Sequence, residues 1–366
     1  MPTPTYWDYL KLDHLLALQG GLEDDEARLA SDELHFIVVH QVYELWFKLI
    51  LSELRLARQH LAAPRVPEES VPFVVHHLRR VNEILRLTVE QFRIMETLTP
   101  QDFLDFRDKL APASGFQSYQ MRELEILLGL GESERHAYGG SNALDHIRSL
   151  AEKSEGGAAA WSRIEAARAG PTLRGALHDW LSRTPIRGSS PEDPGDAAVV
   201  DAFLSEYVER CGRFAEAQAD RVAGSWGGDP AAIRRRFEEG AETARAFLAA
   251  EDAPPLERGR VKRVRAGLLF IESYRDLPLL AWPRLLVDAV VELEEQLVLW
   301  RTRHARMVER TIGRRIGTGG SSGVDYLDQT ARYRIFPELW AIRTLLLPRE
   351  WLPPLEDRAS YGFVHP

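Results

Sequence analysis

The chain of 366 residues is 45% hydrophobic and 28% charged, a globular balance that excludes a disordered or collagen-like protein and leaves ample length for a large core. Fifty-five acidic against forty-six basic residues give a formal charge of −9, which disfavours nucleic acid and anionic lipid as partners. The single cysteine, Cys211, excludes an internal disulfide and any multi-cysteine zinc or iron–sulfur site.

Met1 to Asp8 is short and polar, without a basic-then-apolar signal pattern, and the C-terminal residues carry no lipidation box, so a cytoplasmic address is expected. Ser31, followed by Asp32 and Glu33, predicts the start of a helix that runs to about Ala62, with Pro64 beyond its end. Its most apolar part, Phe36 to Leu51, contains His40, Gln41, Glu44 and Lys48 and reads as a core helix rather than a membrane span. From Val74 the positions Val74, Leu78, Val81, Leu85, Thr88, Phe92 and Met95 step by four and three, the seam of a second long helix. Thr99, Pro100 and Asp102 supply a cap, a first-turn proline and an acid for a third helix ending near Pro112.

Between about 131 and 283 glycine pairs and a Gly/Pro/Ser/Asp stretch from Pro185 to Asp196 predict shorter amphipathic pieces, a helical insertion with mobile loops within one domain spanning 1–366. Helical pattern returns from Pro283 to about Ile312, breaks at Gly317–Gly323, and resumes in a final helix ending near Pro348. No segment alternates with period two, so the expected class is all-α, a helical bundle.

Three residues are out of place on apolar stripes. Phe36, His40, Tyr43, Glu44 and Phe47 share one helix face, and the plain reading is a core histidine satisfied by Tyr43 or Glu44. Arg107 lies among Phe103, Phe106 and Leu110, where a guanidinium needs an anion: either Asp105 or Asp108, or the carboxylate of a ligand. His304 sits with Trp300, Met307, Val308, Thr311 and Ile312, which suits either packing or an axial metal or heme-iron ligand, while Cys211, the thiolate alternative, lies in the irregular insertion. Gly317 to Gly323 offers amides and hydroxyls to a polar ligand but lacks the Lys-Ser/Thr of a phosphate loop. No GxSxG elbow or HExxH motif is present, which leaves a hydrolase without support.

Four segments in order resemble the tryptophan 2,3-dioxygenase family: Tyr6 to Leu12 (YWDYLKL), Asp32 to Lys48 (DELHFIVVHQVYELWFK), Asp102 to Ser118 (DFLDFRDKLAPASGFQS), and Trp300 through Gly323. The similarity covers about 6–130 and 284–350 and leaves 131–283 unaligned. It implies a heme-binding helical homotetramer with b-type heme, in which ferrous iron and O₂ open the indole C2–C3 bond of L-tryptophan to N-formylkynurenine, in tryptophan catabolism. By the same resemblance His304 is the axial iron ligand, His40 the distal histidine that accepts the indole N–H, and Arg107 the partner of the substrate carboxylate. Thr318 matches the threonine that helps hold the ammonium and carboxylate. Phe36 and Phe103 match pocket walls, with Leu110 on the same face, and Ser114 and Gly115 match the turn beside substrate and heme. Tyr6 and Tyr9 match tyrosines that reach a neighbouring subunit's pocket. Phe103 stands where some members carry Tyr, which changes how a carboxylate is held there.

Two other functions fit these motifs. A superfamily relative would insert one oxygen into a substituted tryptophan to give an oxindole, and a non-enzymatic sensor would bind heme and tryptophan without turnover. A helical interaction protein would bind no heme at all.

Overall fold

The backbone of this chain satisfies its hydrogen bonds within helices. The computed structural model describes residues 3–111, 113–136, 143–153, 155–225, 229–317 and 323–362. Among them the only strand-like pairing is the bridge between Ile186 and Ser189, so the fold is all-α as the periodicity requires. In chain order the helices are α1 (Tyr6–Leu10), α2 (Leu12–Leu15), α3 (Glu33–Leu61), α4 (Ser70–Met95), α5 (Pro100–Leu110), α6 (Tyr119–Leu128), α7 (Ala143–Ala151) and α8 (Glu155–Ala169). They continue as α9 (Leu173–Ser182), α10 (Asp196–Ser225), α11 (Pro230–Leu248), α12 (Arg258–Ser273), α13 (Ala281–Ile312), α14 (Val324–Thr330) and α15 (Pro337–Leu345).

The chain divides into two compact units. The first comprises Met1–Arg55, Arg79–Gly170 and Glu292–Arg334. Its core is aromatic: Tyr43 and Phe47 of α3, Phe92 of α4 and Trp300 of α13 meet at ring-centre distances of 5.2 to 6.3 Å. Such tilted and edge-on contacts add to the area each ring buries. All seven positions of the α4 seam are buried, and its one polar member, Thr88, is satisfied twice. Its hydroxyl donates to the Leu85 carbonyl at 2.7 Å, and its own carbonyl accepts from the Tyr43 hydroxyl at 2.8 Å. On α5 the Thr99 hydroxyl accepts from the Asp102 amide at 3.2 Å, with Pro100 in the first turn, as its sequence predicts.

The second unit comprises Leu56–Leu78, Pro171–Val291 and Ile335–Pro366. Its helix α12 is buried from Arg263 to Ser273, Gly267 included. A Cβ on Gly267 would lie 2.3 Å from the Leu181 carbonyl, so only glycine allows α9 to pack this closely. The basic start of α12 fans out to four aspartates: Arg260 to Asp179, Lys262 to Asp201, Arg263 to Asp196 and Arg265 to Asp252.

Two expectations need correction. The stretch 131–283 is not made only of short pieces, since α10 has 30 residues and α11 has 19. Glycines such as Gly212 and Gly240 lie on helix faces open to space, where they weaken a helix by about 1 kcal/mol each without breaking it. Cys211 is accordingly on a regular helix, half-buried, and burial pushes its thiol up to about 11, so it is no thiolate. The final segment also holds two helices, α14 and α15, because Pro337 starts a new one. Helix α3 is long and apolar enough to cross a membrane by length and composition, although only part of it is buried.

Candidate functional site

A cavity in the first unit contains about 1520 Å³ free of protein atoms, open solvent at its mouth included. Helices α3, α4, α5, α6, α13 and α14 line it, together with the turn at Ser114 and Gly115 and the residues Gly317 and Gly323. Most of the wall is apolar, which makes each polar group on it conspicuous.

His40 projects from α3 into this space. Its Nδ1 lies 2.7 Å from the Phe36 carbonyl, an atom that only accepts, so Nδ1 carries the hydrogen and Nε2 is left as an acceptor. Tyr43 and Glu44, the neighbours expected to satisfy it, do not: the Tyr43 hydroxyl goes to the Thr88 carbonyl. His40 is accessible from the cavity yet surrounded by protein. That burial pushes its basicity down, the Phe36 carbonyl and Glu44 opposing and His35 adding to the effect.

His304 approaches from α13. Its ring is stacked on Phe92 at 5.8 Å and tilted against Trp300 at 5.1 Å. Burial, with smaller contributions from His40 and Arg122, holds its pKa at about 4, so the ring is neutral and its lone pair is free to bind a metal. The two imidazoles therefore face one cavity from different helices.

Arg107 also lines the cavity, and neither Asp105 nor Asp108 pairs with it. Its Nη2 donates to the Ile316 carbonyl at 2.6 Å, Nε is buried without a partner, and no carboxylate among the described residues lies within ion-pair distance. A guanidinium held this way is ready for an anion that none of the described residues supplies. Phe36 and Phe103 form the adjoining wall with their rings 5.9 Å apart. Ser114 and Gly115 line it too, the Ser114 hydroxyl accepting from the Phe116 amide at 3.3 Å.

Other expected residues lie elsewhere. Leu110 is half-buried on α5 but does not line the cavity. Tyr6 and Tyr9, on α1, are 71% and 79% exposed and lie outside the lining. Thr318 lies outside the described residues. Among the described residues no group of three or more His, Cys, Asp or Glu is placed to hold a metal ion, so His304 is a single-residue ligand candidate.

Sequence reasoning missed a buried charge cluster at the cavity wall. Glu125 Oε2 meets Arg122 Nη1 at 3.0 Å and Arg135 Nη1 at 2.5 Å, and Oε1 meets Arg301 Nη2 at 3.2 Å. Burial resists ionisation of this carboxyl, but the three guanidiniums overcome it and hold it below the ordinary carboxylate range. Three cations around one anion leave an excess of positive charge among the described residues, and besides Arg107 Nε two further buried donors on the lining, Arg122 Nε and Trp300 Nε1, have no partner. The signal was available: three charges, Arg122, Glu123 and Glu125, interrupt the apolar Met121, Leu124, Ile126 and Leu127 of α6, with Arg122 and Glu125 one turn apart.

Comparison with known proteins identifies relatives of the whole chain. A family model described as tryptophan 2,3-dioxygenase matches residues 2–346, including the stretch 131–283 that the motifs left unaligned. A tryptophan 2,3-dioxygenase from Sorangium cellulosum is 48% identical over 363 residues, covering 98% of this chain and 87% of that protein. One from Ralstonia nicotianae is 47% identical over 373 aligned positions, covering 100% and 99%. A tryptophan 2,3-dioxygenase-like protein from Xanthomonas campestris is 50% identical over 274 residues, or 73% of this chain.

Proposed function

The chain belongs to the tryptophan 2,3-dioxygenase family of enzymes, and we propose that it opens the indole C2–C3 bond of L-tryptophan with O₂ to give N-formylkynurenine, using a b-type heme held by His304. The observation that carries this reading is one cavity lined by two neutral imidazoles from different helices and by an arginine with no anionic partner among the described residues.

The residues present fit a heme. His304, a neutral imidazole on a wall of Phe92, Trp300, Met307 and Val308, would hold a heme through its iron, and these apolar neighbours would suit the porphyrin. Arg122 Nε and Trp300 Nε1, orphaned beside an excess of guanidinium charge, suit the ring's two carboxylates. When bound, the heme supplies the iron at which O₂ is activated, so no protein nucleophile is required.

The protein's own work is binding and orientation. Arg107 takes the substrate carboxylate through a guanidinium fork, and Phe36 and Phe103 pack against the indole. His40 Nε2 accepts the indole N–H, since Nδ1 is committed to the Phe36 carbonyl. In this reading Thr318 holds the ammonium group, Tyr6 and Tyr9 complete the pocket of a neighbouring subunit in a homotetramer, and the enzyme is cytoplasmic. Supplying the reduced, heme-loaded enzyme with L-tryptophan and O₂ tests the proposal: a product heavier by two oxygen atoms supports ring opening. One added oxygen favours the oxindole-forming alternative, and tight binding without turnover favours a sensor.

A further inference from the structure

We propose that Glu44, held by Gln120, is a positioning residue that sets how basic His40 is, and thereby how firmly His40 holds the indole N–H. Only the second half rests on the function proposed above.

Glu44 follows His40 by one helical turn on α3 and lines the same cavity. The Gln120 amide is buried, with 6% of the residue exposed, and its Nε2 lies 2.7 Å from Glu44 Oε2 and 2.8 Å from the Glu44 main-chain carbonyl. Bonded to both backbone and side chain, this amide fixes where the carboxylate sits.

The charged and titratable groups around the cavity leave Glu44 distinct. On α3 they are His35, Tyr43 and Glu44; α5 adds Arg107, α6 Arg122 and Glu125, α13 Arg301 and His304, and α14 Tyr326. Arg122 and Arg301 close on Glu125. Arg107 donates to the Ile316 carbonyl, burial keeps His304 neutral, and burial pushes the phenols of Tyr43 and Tyr326 up so that they stay protonated. Glu44 is therefore the cavity carboxylate whose charge no cation cancels among the described residues.

An anion one helical turn along α3 works against burial at His40, favouring a proton on Nε2. A more basic lone pair is a better hydrogen-bond acceptor, so burial keeps His40 neutral while the charge makes its lone pair more strongly accepting. Glu44 touches no reacting atom in this scheme and acts through its neighbour.

The test follows the His40 ring by NMR against pH in histidine-labelled holoenzyme, in the diamagnetic ferrous carbon monoxide complex. Glu44→Gln keeps an acceptor for Gln120 but removes the charge. It is expected to lower the His40 midpoint by about half a pH unit or more. Glu44→Met, neutral and of similar volume, should do the same, and Glu44→Asp should restore most of the wild-type value. A midpoint that stays put or rises in the neutral variants overturns the first half. Tryptophan affinity above the midpoint, read optically, should fall several-fold in Glu44→Gln; unchanged affinity beside a shifted midpoint overturns the second half. Failure of the wild-type enzyme to bind or consume tryptophan overturns the proposed function instead, and the titration still judges the charge of Glu44.

Discussion

Arg107 on α5 and Ile316, 209 positions later in the chain, are joined by a 2.6 Å hydrogen bond from guanidinium to main-chain carbonyl. A carbonyl dipole orients a guanidinium but does not neutralise it, and the buried Nε remains without a partner. The arginine is thus held in position and left charged at the cavity wall.

Arg107→Ala should weaken substrate binding or transition-state stabilisation by about 2–5 kcal/mol, the range for truncating one side of a buried charge pair. Arg107→Lys should recover only part, because a single ammonium cannot form the planar fork. Steady-state kinetics with L-tryptophan decide it; near-normal kinetics in Arg107→Ala would remove this residue from the substrate site.

His304→Ala should abolish or strongly weaken heme retention while the helical fold survives, since the ring contributes contacts to Phe92 and Trp300 but no hydrogen bond that anchors α13. Absorption spectroscopy of the purified variant, set beside its circular dichroism, is the measurement. An unchanged heme spectrum would refute the axial assignment.

Glu125→Ala should cost about 3–5 kcal/mol of stability, because three buried guanidiniums lose their shared counter-charge. Urea denaturation reads the loss. A cost under about 1 kcal/mol would mean that the arginines are already balanced by something other than Glu125.

Tyr43→Phe should destabilise by about 0.5–1.5 kcal/mol, the usual contribution of one hydrogen bond, by removing the bond that ties the Tyr43 hydroxyl of α3 to the Thr88 carbonyl of α4. The ring packing against Phe92 and Trp300 is kept, so heme content should not change.

Glu33 gives a pH dependence. Its carboxylate accepts from the Ala30 amide at 3.0 Å and from Lys109 at 2.9 Å, and these bonds hold it below its ordinary value of 4.5 although burial pushes the other way. A folded-state value below the unfolded one means stability that is fully present above about 4.5 and lost as pH falls through the lowered value. Lys109→Met should reduce stability at neutral pH and flatten its decline on acidification. Denaturation midpoints across that range that fall in parallel for both proteins would count against the pair.

Much of the architecture was legible because it rests on local rules. The α4 seam, the Thr99 cap and the shared faces of His40 and His304 follow from helical spacing, and all were found where spacing puts them. The burial of Arg107 was legible as a conflict between side chain and surroundings. Its relation to Ile316 was not, because no local pattern links positions so far apart. The Glu125 cluster was half legible: Arg122 and Glu125 show as charges on an apolar stretch of α6, but their partners come from the turn after it and from α13, which no local pattern links to them. The 30-residue α10 was missed although the breakers read from the sequence, the 185–196 stretch and the glycine pair at 227–228, bracket it rather than interrupt it.

The three stretches that build the first unit end at Arg334, and the cavity draws on them from Phe36 to Thr330. While the ribosome is still making α13, the wall that carries His304 does not yet exist, and the half-made pocket offers its apolar lining to water or to chaperones. Capture of a large flat ligand must therefore wait until about nine-tenths of the polypeptide has been synthesised, making it a late event that depends on long-range docking of α13 rather than on local helix formation.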